Sequence, residues 1–348
     1  MPALTPSFTF DLESNMRMIS EESYKRLNAN SWWMKVAKEL MTRSKKERIS
    51  WLLDTAGINY TSRLGGEVEY DDIVSNTTEF EYKAATAGLK LNRYQLEDHD
   101  GKGVDLAGHW ARGIGSYAAY WPQKQVAATL LAGEAAGSLA YDGEVFFSAA
   151  HPLNQFDAPA GTYANIFTGA AVGAYPGALP IDDSVSLDVA MQNIGKALAY
   201  IAQIKQPNGA DPRNLRARAI LHPASLTTRV SQLLGAKFIA QDSTSAGGSA
   251  DVEAVIARWG MAEPIEAVEV GAGFPSGSDT SYYLVTEDIG SDSLGAIVYV
   301  NREPFQVNFH DGVSQVELNR DNGLEWICRG ANNTGYGHPY LVFKAKAA

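Results

Sequence analysis

The sequence predicts an α+β protein, and three observations support this class. Segments 104–137 and 184–204 repeat apolar residues at helical spacing over several turns. The segment TEFEYKA alternates Phe80 and Tyr82 with charged residues, as a half-buried strand does, and further strand patterns fill the last third of the chain. The order of these segments does not repeat the strand–helix–strand unit of a parallel α/β sheet.

Residues 1–18 are predicted to form an extended arm. Ser20 would then cap a helix, with two glutamates after it placed favourably against the helix dipole. Apolar residues at helical spacing continue this pattern to Met41. The basic residues between 43 and 48 are interpreted as the solvated end of that helix.

Composition changes between residues 51 and 90, where Thr, Tyr, Val and Gly become common. The strand pattern around Phe80 and a turn at Gly65-Gly66 predict a long two-stranded ribbon with few apolar residues near its tip. A lone ribbon is only marginally stable in water. We therefore expect this ribbon to find its packing partner on another molecule.

Segment 104–137 is predicted to form one long helix or two helices in series. Its apolar face comprises Ala107, Trp110, Ala111, Ile114, Tyr117, Ala118 and Trp121 and continues through Leu130 to Ala135. Pro122 lies within this pattern and predicts a kink or a break, because its ring clashes with the preceding turn. Gly137 is the expected end.

The second half alternates loops, helices and strands. Residues 155–183 are predicted to be loop-like, and 184–204 to form the most regular helix of the chain. A strand at 217–221 leads through His222-Pro223 into a helix that ends at Gly235. The remaining predictions are a flexible loop at 241–251 and strands at 265–270, 281–286, 294–300 and 324–329.

Bulk properties narrow the possible classes of function. A length of 348 residues allows two domains or one elaborate domain. The net charge of -11 argues against a broad basic face for gripping nucleic acid, although it suits a container that repels a polyanion. Cys328 is the single cysteine, so no disulfide can form within the chain, which fits a reducing cytoplasm. The sequence contains neither a membrane-spanning apolar run nor the pattern of a secretory signal.

The sequence offers no catalytic constellation. The six histidines are His99, His109, His151, His222, His310 and His338. None of them forms an i, i+4 pair for a metal, and the carboxylates around His99 are interpreted as a solvated loop rather than a weak metal site. Cys328 lies in a strand pattern and is expected to be a buried thiol. We therefore predict no catalytic residue, no metal site and no cofactor.

Two segments resemble a known family. YDGEVFFSAAHP, residues 141–152, resembles the Y-D-G-x-x-F-F-x-x-x-H-P segment of Mu-like phage major head subunits. CRGANNTGYGHPYLVFKA, residues 328–345, is similar to the family's R-G-x-x-N-x-G-Y/F-G segment, in which Asn333 or its neighbour Asn332 takes the asparagine position. The resemblance covers roughly residues 51–348, and the first fifty residues fit less well.

This resemblance implies the HK97-type capsid fold, an α+β fold with an N-terminal arm, an extended β-hairpin loop, a peripheral domain with a long spine helix, and an axial domain. The implied boundaries are 1–50 for the arm and its helix, 51–92 for the extended loop, 93–144 for the peripheral domain with the spine helix, 145–270 for the axial domain, and 271–348 for the return to the peripheral domain.

The implied function is that of a major capsid protein, a structural protein without enzymatic activity. Such a protein self-assembles into the icosahedral head of a tailed bacteriophage or prophage. The partners would be neighbouring subunits in hexamers and pentamers, with portal, scaffold and decoration proteins as further partners. The shell would enclose double-stranded DNA without sequence-specific binding or a membrane. Assembly would take place in the cytoplasm of the host bacterium, and the protein would end in the virion.

The resemblance also suggests residues for assembly. We expect contacts between subunits from four residues of the extended loop and two of the N-terminal helix: Phe80, Glu81, Tyr82, Lys83, Trp32 and Trp33. The alternatives are an ordinary surface hairpin for the loop residues and packing on the chain's own spine helix for the tryptophans. Structural turns are expected at Asp142, Gly143, His151, Pro152, Gly335 and Gly337. In this interpretation His151 fixes the chain as it leaves the peripheral domain.

Three other classes remain open on the sequence alone. An encapsulin-type nanocompartment shares the HK97-type fold but encloses enzyme cargo. A soluble enzyme of unknown class would need the catalytic constellation that the sequence lacks. A tail or minor head protein would not be expected to carry the motifs of a major head subunit.

Overall fold

The computed structural model describes residues 6–43, 46–52, 75–91, 102–154, 161–235, 263–288, 295–310 and 324–346. The helices within these ranges are α1 (Pro6–Asn28), α2 (Lys102–Leu131), α3 (Leu187–Ala202) and α4 (Thr227–Gly235). The strands are β1 (Ala37–Met41), β2 (Lys46–Leu52), β3 (Ser75–Glu81), β4 (Lys83–Leu91), β5 (His151–Pro152), β6 (Thr162–Tyr163), β7 (Ile166–Phe167), β8 (Leu215–His222), β9 (Glu263–Glu266), β10 (Tyr282–Asp288), β11 (Ile297–His310), β12 (Leu324–Tyr336) and β13 (Val342–Ala345). The predicted α+β class is confirmed.

Two larger sheets organise the described residues. The four-stranded sheet has the order β1-β11-β12-β4, and the five-stranded sheet has the order β7-β13-β10-β8-β9. Strands β11 and β12 form an antiparallel pair, and β1 joins β11 in parallel. Two further pairs, β2-β3 and β5-β6, stand as separate two-stranded sheets.

The N-terminal prediction is wrong in part. Helix α1 already begins at Pro6, and Ser20 lies inside it, where its hydroxyl donates to the carbonyl of Arg17 (2.8 Å) instead of capping a terminus. The reason is tertiary packing: Met16 and Ile19 join a core cluster with residues of α2, and this burial outweighs the weak capping signal.

The chain after α1 also differs from the prediction. A 3₁₀ turn at Trp33–Lys35 is followed by strand β1, and the basic residues near 46 begin β2. The predicted helix to Met41 and its basic end are therefore wrong. Pairing of Ala37 with Ile297 draws this segment into the four-stranded sheet, and the helical spacing of its apolar residues does not compete with that ladder.

Helix α2 confirms the first of the two predicted forms of segment 104–137, a single long helix. It continues through Pro122 and ends at Leu131, before the expected end at Gly137. Helix α1 lies against α2, and a Cβ at Gly115 would overlap the carbonyl of Ser20. Glycine at this position therefore lets the two helices approach closely.

Helix α3 matches its prediction to within a few residues. Ser186 caps it by accepting from the backbone N–H of Val189 (3.3 Å), and its apolar face packs on the five-stranded sheet within the main core. The predicted strand and helix after residue 217 are also observed as β8 and α4. The predicted loop 241–251 lies outside the described residues.

The C-terminal segment contributes to both larger sheets. Strands β11 and β12 lie in the four-stranded sheet, whereas β10 and β13 pair inside the five-stranded sheet next to β8 and β7. The strands predicted at 294–300 and 324–329 are present but run on to His310 and Tyr336. The return segment 271–348 is thus not confined to one sheet, and the domain boundaries stay a prediction.

Candidate assembly interface

Strands β2 and β3 form a separate two-stranded ribbon, which we call the ribbon. Its antiparallel register runs from Lys46 opposite Glu81 to Leu52 opposite Ser75. The segment between the two strands lies outside the described residues, as does the predicted turn at Gly65-Gly66. We call the end of the ribbon at Lys46 and Glu81 its base.

Phe80 anchors the base of the ribbon. Its side chain is only 6% exposed and packs with Ile49, Val298 and Val300 in a small core cluster. A Cβ at Gly335, on strand β12, would overlap the Phe80 ring. The expected contact of Phe80 with a neighbouring subunit is therefore wrong, because the subunit's own sheet already buries this ring.

The turns expected at the two motif glycines near the C-terminus are wrong, whereas the close approach of backbones also expected for glycines of this segment is observed at Gly337. Neither Gly335 nor Gly337 has a positive φ; Gly335 lies in a strand and Gly337 directly after it. A Cβ at Gly337 would overlap the carbonyl of Gly295. Both glycines serve close approach, Gly335 to an aromatic ring and Gly337 to a backbone, and neither forms a turn with a left-handed backbone.

The residues that follow Phe80 have more access to solvent. Glu81 and Lys83 are exposed, and Tyr82 is partly buried beneath the Arg302 guanidinium, which lies 4.3 Å from the centre of its ring. The side-chain amide of Asn333 donates to the carbonyl of Glu81. The backbone here is therefore held by the subunit, while the side chains of Glu81 and Lys83 point to solvent, and their contact with a neighbour stays a prediction.

Charges on the ribbon pair across its two strands. Glu79 accepts from Lys46 and lies 3.3 Å from Arg48 Nε. The hydrogen bond from Lys46, with its charge, holds the pKa of Glu79 below its usual value. These exposed ion pairs contribute little to the stability of the ribbon, because solvent and salt screen them.

Trp32 and Trp33 lie inside the subunit. Both are buried in the main core, which includes Val126 and Leu130 of α2. The Trp32 indole N–H donates to Glu269 (3.1 Å), and the Trp33 ring packs 5.1 Å from that of Tyr299, measured between ring centres. The structure therefore agrees with the second alternative, packing on the chain's own long helix, and a contact of these rings with a neighbour is wrong.

Glu269 ties three parts of the subunit together. Besides the Trp32 indole, the Gln123 side chain of α2 donates to it (2.6 Å), while Glu269 itself sits in a 3₁₀ turn after β9. Its side chain is buried. The sequence did not identify this residue, because Glu263 and Glu266 recur in the same stretch and no pattern distinguishes the buried glutamate from them.

The segment 141–152 folds around a buried polar cluster, which we call the buried knot. It consists of the side chains of Asp142, His151 and Asn165 and the backbone carbonyl of Phe146. His151 is fully buried (0% exposed); its Nδ1 lies 2.7 Å from Asp142 Oδ2, and its Nε2 lies 3.2 Å from the Phe146 carbonyl. The knot therefore holds the 141–152 segment together through both ring nitrogens of His151, which are engaged inside the subunit.

Asn165 completes the knot. Its amide donates to the carbonyls of Phe146 (2.6 Å) and Pro339 (3.1 Å), and its Oδ1 accepts from the backbone of Ser148 (2.9 Å). It thereby joins the 141–152 segment to the second segment that resembles the family. Asn165 was not predicted, since it lies in a stretch without a recognisable pattern.

The remaining residues of the knot region have the geometry of a turn. Gly143 has φ 85°, and Asp142 Oδ1 accepts from the backbone of Glu144 (3.1 Å). Pro152 lies opposite Thr162 in the short β5-β6 pair. His151 and Pro152 thus lie where the chain leaves the end of α2 for the five-stranded sheet.

The described residues contain no group of three or more His, Cys, Asp or Glu side chains placed to hold a metal ion. Burial raises the pKa of the Cys328 thiol to about 11, which leaves it a poor nucleophile at neutral pH. None of the described helices is long and apolar enough to cross a membrane.

Residues 11–177 match the family model of the Mu-like prophage major head subunit gpT. The match covers slightly less than half of the chain and includes the 141–152 segment, so the resemblance is confirmed there. It also includes most of the first fifty residues, which the motifs fitted less well, and it ends before the second motif. No curated protein matches the sequence.

Solved capsid structures share the fold. The procapsid of bacteriophage JBD30 aligns at a TM-score of 0.50 and 14% identity, covering 99% of this chain and 76% of that one. The capsid of Cyanophage P-SCSP1u aligns at 0.51 and 10% identity, covering 91% and 88%. The chain spans 64% of the length of the JBD30 capsid chain, which aligns at 0.46 and 13% identity over 90% of this chain. The HK97-type fold is thereby confirmed.

Proposed function

We propose that this chain is the major capsid protein of a tailed bacteriophage or prophage, a subunit that tiles with copies of itself into a closed head. The observation that carries this proposal is the match of residues 11–177 to a major head subunit family. The fold of the described residues agrees with it, because the capsid structures of bacteriophage JBD30 and Cyanophage P-SCSP1u share this fold.

The architecture supplies what a shell needs. Closed symmetry repeats the same contact many times, so each contact can be modest and their number provides stability. The described part of the ribbon is anchored to its own subunit at its base, where Phe80 is buried. Several large apolar side chains are also left exposed on one subunit: Met18, Met34, Met41, Leu106, Leu139, Val172 and Val268.

Assembly with copies of itself follows from the family of shell proteins, and the finer partners belong to the proposal. Hexamers and pentamers would build an icosahedral head, with portal, scaffold and decoration proteins as further partners. The net charge of -11 suits a wall that encloses double-stranded DNA without gripping its sequence. Assembly would occur in the host cytoplasm before the protein becomes part of the virion.

A shell subunit needs no turnover, and the proposal therefore assigns the protein no enzymatic activity. The buried knot supports this assignment, because His151 is enclosed and engaged on both ring nitrogens. The encapsulin-type nanocompartment is the less supported alternative, since the matching family model is that of a phage head subunit.

Expression of the chain alone, followed by size-exclusion chromatography and negative-stain imaging, tests the proposal. We expect closed particles of uniform size. Particles recovered from induced host cells should contain double-stranded DNA, whereas particles filled with protein cargo would favour the nanocompartment. A species that keeps the mass of one subunit at every concentration and salt condition would contradict the proposal.

A further inference from the structure

A short hairpin projects between β7 and α3. Val172 and Tyr175 exchange backbone hydrogen bonds in both directions, each 3.0 Å long. The turn between them begins with Gly173, whose φ is 60°, as the first central residue of a type II′ turn requires. We call residues 168–178 the hairpin and Ala170–Ala174 its apolar tip.

The apolar tip is exposed and uncharged. All five residues from Ala170 to Ala174 are exposed, and Val172 is 72% exposed. The sequence contains no charged residue between Asp157 and Asp182, although 20% of the chain is charged. A run of consecutive exposed apolar residues is unfavourable on a solvated surface unless something else covers it.

Hydrogen bonds hold the hairpin together below its exposed tip. The Tyr175 hydroxyl accepts from the Thr168 backbone N–H (2.8 Å) and lies within donating distance of the carbonyls of Ile166 (3.0 Å) and Thr168 (2.8 Å). The Ala178 N–H donates to the carbonyl of Gly169 (2.9 Å). A tip held by such hydrogen bonds loses less conformational entropy on binding than a disordered loop of the same length would lose.

An apolar groove lies between the end of α1 and the middle of α2, lined by Leu27, Gly113, Tyr117, Ala119 and Tyr120 among others. Leu27 and Tyr117 are both exposed there. An uncharged tip can approach such a groove on an otherwise acidic neighbour without bringing like charges together.

We infer that the apolar tip is a docking surface that a second copy of this chain covers. The inference rests on the proposed function, because a shell built from one chain surrounds each subunit with copies of itself. A projecting tip on one subunit that meets a different surface on the next gives a heterologous contact, the kind that closes rings of subunits.

A cysteine at the tip tests the inference. The native Cys328 is 2% exposed and its thiol pKa is raised to about 11, so maleimide at neutral pH reports on an introduced thiol. Val172→Cys should react at least about tenfold more slowly in particles of the chain expressed alone than in unassembled subunits, since reaction needs an exposed thiolate. Val189→Cys, 40% exposed on α3, is the matched control for access of the reagent.

The two positions decide the outcome together. Protection of Val172→Cys beyond that of Val189→Cys supports the inference, and equal protection of both overturns it. Protection that appears only in particles carrying another protein would also overturn it, because the cover would then not be a second copy. If the wild-type protein forms no particles, both the proposed function and this inference are contradicted. If particles form and Val172→Cys stays fully reactive in them, only the inference is contradicted.

A charge at the tip gives a second readout. Val172→Asp should leave the melting temperature of the unassembled subunit unchanged and reduce the yield of particles by about tenfold, since it places a buried charge in the contact. Val172→Thr keeps the shape without the charge and should assemble nearly like the wild type. Equal particle yields for the Asp and Thr variants would overturn the inference.

Discussion

The buried knot and the ribbon use polar residues in opposite surroundings. In the knot, His151 and Asn165 are fully enclosed, and their hydrogen bonds join the 141–152 segment to Pro339. In the ribbon, Glu79 meets Lys46 and Arg48 at the surface. Along the chain, the knot lies between the long helix and the five-stranded sheet, whereas the base of the ribbon packs on the four-stranded sheet.

This difference shows which part of the structure is stabilised by contacts within one subunit and which part has few such contacts. A buried polar network is costly to break, because any partner left behind is desolvated and unpaired. Exposed ion pairs contribute little and are screened by salt. The knot therefore fixes the path of the chain within the subunit, whereas Phe80 anchors the base of the ribbon, and we propose that neighbouring copies order the ribbon further.

The largest effect is expected from breaking the knot. Asp142→Ala leaves His151 Nδ1 and the Glu144 backbone N–H without their hydrogen-bond partner and should lower the free energy of unfolding by about 3–5 kcal/mol. Urea titration of unassembled subunits measures this. Asp183→Ala, at an exposed position before α3, is the control and should change stability by less than about 0.5 kcal/mol. Equal losses for the two variants would show that the pair does not hold the knot.

Removal of the ribbon's anchor should come next. Phe80→Ala empties the cluster that includes Val298 and Val300 and should cost about 3 kcal/mol in the same titration. Gly335→Ala should also destabilise the wild type, by about 1–3 kcal/mol, because its methyl group overlaps the Phe80 ring.

The two substitutions form a double-mutant cycle. In the Phe80→Ala background the overlap is gone, so Gly335→Ala should cost almost nothing there. Strictly additive losses would contradict the contact between this glycine and the ring.

A smaller effect is expected from acidification. Burial, with the charge of Arg213, lowers the pKa of His338 from 6.5 to about 3. Below pH 6.5 the unfolded chain therefore binds a proton at this histidine that the folded chain does not bind. The free energy of unfolding decreases as the pH is lowered from 6.5 to about 3. This contribution should amount to about 1.6 kcal/mol between pH 6.5 and 5.

Unfolding titrations across this pH range test the His338 contribution. His338→Gln should flatten the dependence, while His109→Gln, at an exposed position of α2, should leave it as in the wild type. An unchanged slope in the His338 variant would assign the pH dependence to other groups.

The smallest effect on the subunit is expected at the ribbon's exposed side chains. Glu81→Ala and Lys83→Ala should change the free energy of unfolding by less than about 0.5 kcal/mol, because neither side chain is buried. Both should nevertheless lower particle yield in sedimentation if a neighbouring copy contacts them. Lys196→Ala, exposed on α3, is the matched control, and yields equal to it for both variants would restrict the ribbon's contacts to other residues.

The sequence pattern predicted those elements of the fold that are stabilised mainly by residues within the same segment. Helix α3 combines a regular apolar face with a serine cap, and β8 with α4 follows a clear strand-proline-helix signal. The extent of α1 and the change to a strand at Ala37 could not be predicted, because packing on α2 and pairing with β11 decide them. Such long-range partners leave no periodic trace in their own segment.

The candidate interface could likewise be predicted from the sequence only in part. The ribbon and the turn at Gly143 were predicted from composition and turn chemistry. The buried position of Phe80, the space provided by Gly335 and the links made by Asn165 and Glu269 depend on residues far away in sequence. A single chain's pattern identifies an aromatic residue as an anchor but does not indicate whether its own subunit or a neighbour supplies the pocket.

Hydrogen–deuterium exchange of isolated subunits and of assembled particles compares the two regions most directly. The backbone amides of β2 and β3 should exchange at least about a hundredfold more slowly in particles, while the amides of Ser148 and Asn165 in the knot keep their rates. Ribbon amides protected equally in both states would show that the ribbon belongs to the subunit alone and would contradict the account.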